Sequence, residues 1–74
     1  MLKDLDRVAL TRALPEFKLS AGDIGTVVHV YEGGKAYEVE FVSLQGRTLA
    51  VETLLDADLR MLGASEIAHA RAFA

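Results

Sequence analysis

The chain is short, mildly acidic and free of cysteine. Its 74 residues carry 8 lysines and arginines against 11 aspartates and glutamates, which gives a formal net charge of −3. A chain of this size buries only about 60% of its unfolded surface, so the apolar core must supply the stability. Without thiols there is no disulfide, no thiolate zinc site and no thiol nucleophile. A hydrophobic fraction of 51% is too high for a disordered chain.

The longest apolar runs are too short to span a membrane, and the acidic start lacks the basic and apolar regions of a signal peptide. We therefore expect one small folded domain in the cytoplasm.

The first part of the chain predicts a short strand followed by an ordered loop. Val8 and Leu10 share one face of residues 7–11 at the two-residue period of a strand. Residues 13–23 contain the only proline, which cannot donate to a ladder, and glycine follows at position 22. Three apolar side chains are expected to pin this loop: Leu14, Phe17 and Leu19.

Residues 24–31 are the strongest strand candidate because they are rich in β-branched and aromatic residues. Their alternation is imperfect, since Val27 and Val28 are both apolar. This predicts a curved strand in which the set of inward-facing residues changes partway along, with Gly25 permitting the bend. Residues 32–35 contain two adjacent glycines and are predicted to close a hairpin.

The return strand, residues 36–42, has the cleanest alternation in the chain. Tyr37, Val39 and Phe41 point one way, whereas Glu38 and Glu40 point the other. One face of this strand is therefore expected to pack against the core and the other to be exposed to solvent.

The remaining segments predict two further strands separated by a turn. Residues 48–52 form a fourth strand with Leu49 and Val51 inward, and residues 54–58 form a single helical turn. A short last strand covers residues 59–62.

Five short strands in about sixty residues predict an all-β fold, a small SH3-like barrel that is partly open, because a sheet with one apolar face must cover it. An OB-type barrel needs a helix between its third and fourth strands, and nothing here supplies one. We assign residues 1–62 to the barrel and residues 63–74 to a C-terminal tail. The expected core is as follows: Val8, Leu10, Val28, Val30, Val39, Phe41, Leu49, Val51 and Leu59.

The tail is rich in alanine and is expected to be either helical or frayed. Ser65 can cap a helix and Glu66 suits its first turn, but so short a helix is marginal alone. Alternatively the tail docks through Ile67 and Phe73. Docking on another copy of the chain would make it a dimerisation arm and the protein a homo-oligomer.

Five segments in a fixed order resemble an uncharacterised bacterial family of short SH3-like barrel proteins. They are Asp6-Arg7-Val8-Ala9-Leu10-Thr11, Leu14-Pro15-Glu16, Gly22-Asp23-Ile24-Gly25-Thr26-Val27-Val28, Tyr37-Glu38-Val39-Glu40-Phe41-Val42 and Gly46-Arg47-Thr48. The resemblance covers roughly residues 5–62 and brings no established activity. It implies a small cytoplasmic protein encoded beside another small protein, in an arrangement similar to toxin and antitoxin pairs. The segment from Gly22 to Val28 also resembles the KOW element of ribosomal and transcription factors.

The residues that could carry chemistry are few. The two histidines, His29 and His69, stand in no known catalytic motif, and Asp56 and Asp58 lack the further ligands of a calcium loop. The glycines at positions 22 and 25 lead into a strand, so they do not form a phosphate-binding loop. We predict no catalytic residue, no metal and no cofactor, and hence no enzyme, unless a site forms only between subunits of an oligomer.

A protein-binding module is the function that we expect, with a small, toxin-like protein as its partner and this chain as the antitoxin-like member. The candidate partner-binding residues are Tyr31, Tyr37, Glu38, Glu40 and Glu52. The alternative is a KOW-like domain that binds nucleic acid or the ribosome. The basic residues of the chain are scattered along the sequence and are fewer than the acidic ones. Nucleic acid is therefore the weaker expectation.

Overall fold

A computed structural model describes residues 1–73, which contain one antiparallel sheet of five strands. The strands are β1 (Arg7–Leu10), β2 (Ile24–Val30), β3 (Tyr37–Val42), β4 (Thr48–Leu54) and β5 (Leu59–Met61). Their order across the sheet is β4-β3-β2-β1-β5, so β4 and β5 form the two edges and the sheet is not closed into a barrel. The prediction of an all-β fold with five strands is confirmed.

The alternation predicted for β3 is confirmed and places the core on one side of the sheet. Tyr37, Val39 and Phe41 are buried, whereas Glu38 and Glu40 lie on the opposite face. We call the side with the buried residues the core face and the other side the outer face. The buried core consists of Leu2, Val8, Leu10, Leu14, Leu19, Val27, Tyr37, Val39, Phe41, Leu54 and Leu59.

A bulge in β2 corrects the prediction that Val28 belongs to the core. Val27 pairs with Val39 and is 0% exposed, whereas Val28 is 40% exposed. The register to β3 shifts between Val27 and His29, so the extra residue at position 28 is turned outward. The predicted change of the inward-facing residues therefore occurs at Val28. Beyond the bulge, Val30 packs against the core.

The predicted inward residues of β4 were wrong in register. Ala50 pairs with Phe41 and Leu54 pairs with Tyr37, so positions 50, 52 and 54 of β4 share the core face. Val51 pairs with Glu40 on the outer face and is 45% exposed. The strand also runs two residues beyond its predicted end, and those two residues include the buried Leu54. Leu49, at the register shift opposite β3, is only partly buried.

The loop between β1 and β2 is pinned by two of the three predicted side chains. Leu14 and Leu19 form an isolated bridge and are both buried, whereas Phe17 is 36% exposed. Between them the chain makes a short 3-10 turn, Pro15–Phe17. The hairpin after β2 contains a second such turn, Glu32–Gly34, in which both glycines take positive φ as expected.

The helical turn predicted before the last strand is present as a third 3-10 turn, Asp56–Asp58. Asp58 is 8% exposed, and its carboxylate accepts a hydrogen bond from the backbone N–H of Leu55 at 3.1 Å. Asp58 therefore caps the turn that leads into β5.

The tail is not helical in the described residues, so that alternative is wrong. Glu66 accepts hydrogen bonds from the backbone N–H of Gly63 and from the Arg60 guanidinium, which hold the chain in a turn where a helix would begin. Ile67 is 93% exposed and does not dock, whereas Phe73 is 38% exposed. Ala74, the last residue of the predicted tail, lies outside the described residues.

Candidate functional site

The two candidate tyrosines lie in different environments. Tyr37 is 1% exposed, so its side chain belongs to the core and cannot contact a partner. Tyr31 is 40% exposed and packs edge-on against His29, with the two ring centroids 4.6 Å apart. Of the pair, only Tyr31 is accessible to a binding partner.

The three candidate glutamates do not share one face of the sheet. Glu38 and Glu40 lie on the outer face, where they accept hydrogen bonds from the hydroxyls of Thr53 and Thr48 respectively. Glu52 pairs with Val39 and therefore lies on the core side, at the margin formed by β4. The structure brings Glu38 and Glu40 together and separates Glu52 from them.

The free edge of β4 is the longer of the two free edges of the sheet. This strand is seven residues long and pairs on one side with β3. Within residues 1–73 no strand covers its other side. Its sequence, Thr-Leu-Ala-Val-Glu-Thr-Leu, contains no proline or lysine, and Glu52 is its one charged residue. It therefore lacks most of the features by which edge strands avoid pairing with other chains.

Half-exposed apolar side chains lie on the outer face beside this edge. Val51 on β4 and Val42 on β3 are 45% and 48% exposed, and Val28 reaches the same side through the β2 bulge. Together with Glu38 and Glu40 they give the outer face a mixed apolar and acidic character. The carboxylates on this surface would repel the phosphates of a nucleic acid.

Three arginines already form ion pairs within the chain, which further reduces the case for nucleic acid. Arg12, Arg60 and Arg71 contact Asp58, Glu66 and Asp23 in that order. The hydrogen bond from Arg60, with that of the Gly63 N–H, lowers the pKa of Glu66 to about 2.

The Arg71 pair joins the tail to the loop before β2. Arg71 donates from Nε to Oδ1 of Asp23 at 2.8 Å and from Nη2 to Oδ2 at 2.5 Å, and Nη2 also reaches the carbonyl oxygen of Lys18 at 3.0 Å. The hydrogen bond from Arg71 lowers the pKa of Asp23 and outweighs the opposing effect of burial. The sequence contains no local signal for this contact, because 48 positions separate the two residues.

A groove of about 780 Å³ lies between the tail and the sheet. Its walls come from β2, β3, the turn after β3 and the start of β4, and Phe73 and Arg71 of the tail line it from the other side. The groove has no signal in the sequence, because it exists only where the tail returns to the sheet.

The described residues hold no cluster of three or more histidine, aspartate or glutamate side chains that could bind a metal ion. Across residues 1–73 there is also no helix long and apolar enough to cross a membrane.

The fold and the surface thus define a small, open all-β domain with an uncovered edge strand and a docked tail. The sequence model of one family, described as a domain of unknown function (DUF4926), matches residues 4–61. The chain belongs to this family, and the tail lies beyond the matched residues. Searches of the curated proteins and of the solved structures gave no match.

Proposed function

We propose that the chain is a non-enzymatic protein-binding module that adds a strand of its partner to the free edge of β4. The observation that carries the proposal is the seven-residue edge strand, which no other strand covers in the described part of the chain. Unpaired backbone N–H and C=O groups along such an edge bind an extended segment by continuing the sheet. Val51 and Glu52, whose side chains lie on opposite faces, would then contribute to specificity.

For the partner we propose another small protein, encoded by a neighbouring gene in a toxin-antitoxin-like arrangement in a bacterial cytoplasm. The resemblance to short SH3-like barrel proteins supports this part of the proposal. The net charge of −3 and the outward Glu38 and Glu40 favour a partner with a basic surface, because complementary charge speeds association and excludes wrong partners. The chain would act by occupying its partner's surface.

Coexpression of the tagged chain with the neighbouring gene product tests the proposal. We expect the two proteins to elute together in size-exclusion chromatography at micromolar concentration. If they elute separately, the proposed partner is wrong.

A matched pair of variants tests whether the edge of β4 carries the interaction. Val51→Lys places a lysine on the edge strand, whereas Val42→Lys places one on the interior strand β3 at nearly the same exposure, 45% against 48%. Because lysine on an edge opposes strand addition, Val51→Lys should weaken the complex and Val42→Lys should leave it intact. Equal weakening by both variants would indicate binding through the outer face and contradict strand addition.

A further inference from the structure

The groove beneath the tail has an acidic end and an apolar wall. Asp23 provides the carboxylate that the tail contacts, and its side chain is 18% exposed. Glu40 and Arg7 also line the groove. The apolar wall consists of Leu19, Ile24, Phe41, Val42, Leu44 and Leu49. All of these residues lie within the family match, whereas the tail that lines the other side does not. The acidic end and the apolar wall are therefore built by the domain itself.

The tail enters this groove without regular secondary structure and is held there by Arg71. Arg71 makes a two-pronged contact with Asp23, the geometry in which guanidinium and carboxylate bind most specifically, and its third hydrogen bond goes to the Lys18 carbonyl. Phe73 lines the groove two residues later, and its side chain is 38% exposed. Ile67, at the start of the tail, is 93% exposed. The docking therefore depends on Arg71 and Phe73.

The tail leaves part of the apolar wall of the groove exposed to solvent. Leu44, on the groove wall at the turn after β3, is 100% exposed, and Val42 beside it is 48% exposed. A fully exposed leucine next to half-covered apolar residues leaves apolar area that an additional side chain would bury. The described tail covers part of this surface, and a more apolar segment would cover more of it.

We propose that this groove binds an extended peptide segment of a partner protein, with an arginine seated on Asp23 and an aromatic residue two positions later, and that the chain's own Arg71-Ala72-Phe73 is a built-in competitor. Arginine is required because Asp23 and the Lys18 carbonyl accept three hydrogen bonds from one planar guanidinium. The aromatic residue takes the place of Phe73 against the apolar wall. This site touches β4 only at Leu49 and does not include Val51 or Glu52 of that strand.

A peptide-binding measurement on the full chain tests the proposal. The probe is a fluorescein-labelled, end-capped peptide with the sequence of residues 66–73, and its anisotropy is followed with the wild-type chain and with the double variant Arg71→Ala/Phe73→Ala. We expect the double variant to bind the peptide at least about fivefold more tightly than the wild type, because a tethered tail competes at a millimolar effective concentration. Circular dichroism of the wild type and of the double variant checks that both keep the β fold.

Three controls examine the chemistry and the location of the site. Adding Asp23→Asn to the double variant should weaken binding at least about tenfold, because hydrogen bonds between charged groups are lost while asparagine can still accept from the Ser20 N–H. A peptide with lysine in place of its arginine should bind comparably weakly. Val51→Lys, added to the double variant, should leave peptide affinity unchanged, which separates this site from the β4 edge.

Three results would overturn the proposal. One is equal peptide affinity for the wild type and the double variant, and another is affinity that does not respond to Asp23→Asn or to the lysine peptide. The third comes from light scattering: a dimeric wild type with a monomeric double variant would place the tail in the groove of a second copy.

Discussion

Arg12 and Asp58, which are 46 positions apart in the sequence, join the end of β1 to the turn before β5. Arg12 donates from Nε to Oδ1 of Asp58 at 2.8 Å, while the second carboxylate oxygen caps the turn at Leu55. The neighbouring Thr11 adds two more links, from its backbone N–H to the Asp58 carbonyl and from its hydroxyl to the Ala57 carbonyl. Asp58 thus holds β5 beside β1 at the edge of the sheet.

Removal of the Asp58 carboxylate should destabilise the fold more than removal of its neighbour on the same turn. We expect Asp58→Ala to lower the free energy of unfolding by about 2 kcal/mol, because the turn loses its one buried cap and Arg12 loses its charged partner. Asp56→Ala is the control, since Asp56 is exposed on that turn and its loss should change stability by less than about 0.5 kcal/mol. Urea denaturation followed by circular dichroism measures both, and equal costs would contradict the assigned cap.

The same carboxylate should make the stability depend on pH in the acidic range. Burial raises the pKa of Asp58, but the hydrogen bonds from Arg12 and from the Leu55 N–H outweigh burial and hold the pKa below its ordinary value of 3.8. A lowered pKa in the folded state means that the unfolded chain binds the proton more readily, so stability rises with pH across that interval.

The stabilisation by Asp58 should therefore be complete above about pH 5 and decline as the pH falls past the ordinary pKa of 3.8 toward the lowered value. Urea midpoints measured across this range should fall less steeply for Asp58→Asn than for the wild type. Asp23, whose pKa is lowered by Arg71, should contribute in the same direction. A variant curve parallel to that of the wild type would show that Asp58 has an ordinary pKa in the folded protein.

The sequence predicted the strands better than it predicted their faces. The alternation of residues 36–42 was unambiguous because Glu38 and Glu40 alternate with apolar residues, and the structure confirms it. Val27 and Val28 were ambiguous, since a bulge decides which one is buried and no local signal gives its position. The strand β4 has apolar residues on both faces, so its register was settled only by pairing with β3.

The site was harder to predict because it depends on long-range contacts. Tyr37 was named as a candidate binding residue although the alternation of its strand placed it on the core face, and the structure buries it there. Asp23 and Arg71 had no distinguishing pattern, and only the path of the tail brings them together. Open edges are likewise a property of the whole sheet, which a strand-by-strand reading does not reveal.

The assigned bulge predicts opposite outcomes for two adjacent valines. Val27→Ala should lower the free energy of unfolding by about 2 kcal/mol, because it removes two fully buried methyl groups and leaves a cavity. Val28→Ala removes the same atoms from a side chain that is 40% exposed, and its cost should stay below about 0.5 kcal/mol. Chemical denaturation distinguishes the two, and a larger cost at Val28 would mean that the inward face of β2 is assigned to the wrong residue.

Gly25 should be intolerant of alanine for a reason of space. Its φ is ordinary, but a Cβ there would lie 2.6 Å from Cγ1 of Val39 and 2.9 Å from Cε1 of Phe41. Both neighbours are buried core side chains that have little room to move. Gly25→Ala should therefore lower the free energy of unfolding by about 1–3 kcal/mol through overpacking.

Gly63→Ala provides the matched control for Gly25→Ala. Its added Cβ would first meet Oε2 of Glu66 at 3.1 Å, and this exposed carboxylate lies at the end of a flexible side chain. The change at Gly63 should alter the free energy of unfolding by less than about 0.5 kcal/mol. Thermal and urea unfolding of the two variants compare them directly. If Gly25→Ala proves as stable as Gly63→Ala, then β2 and β3 do not pack as closely at Gly25 as the structure places them.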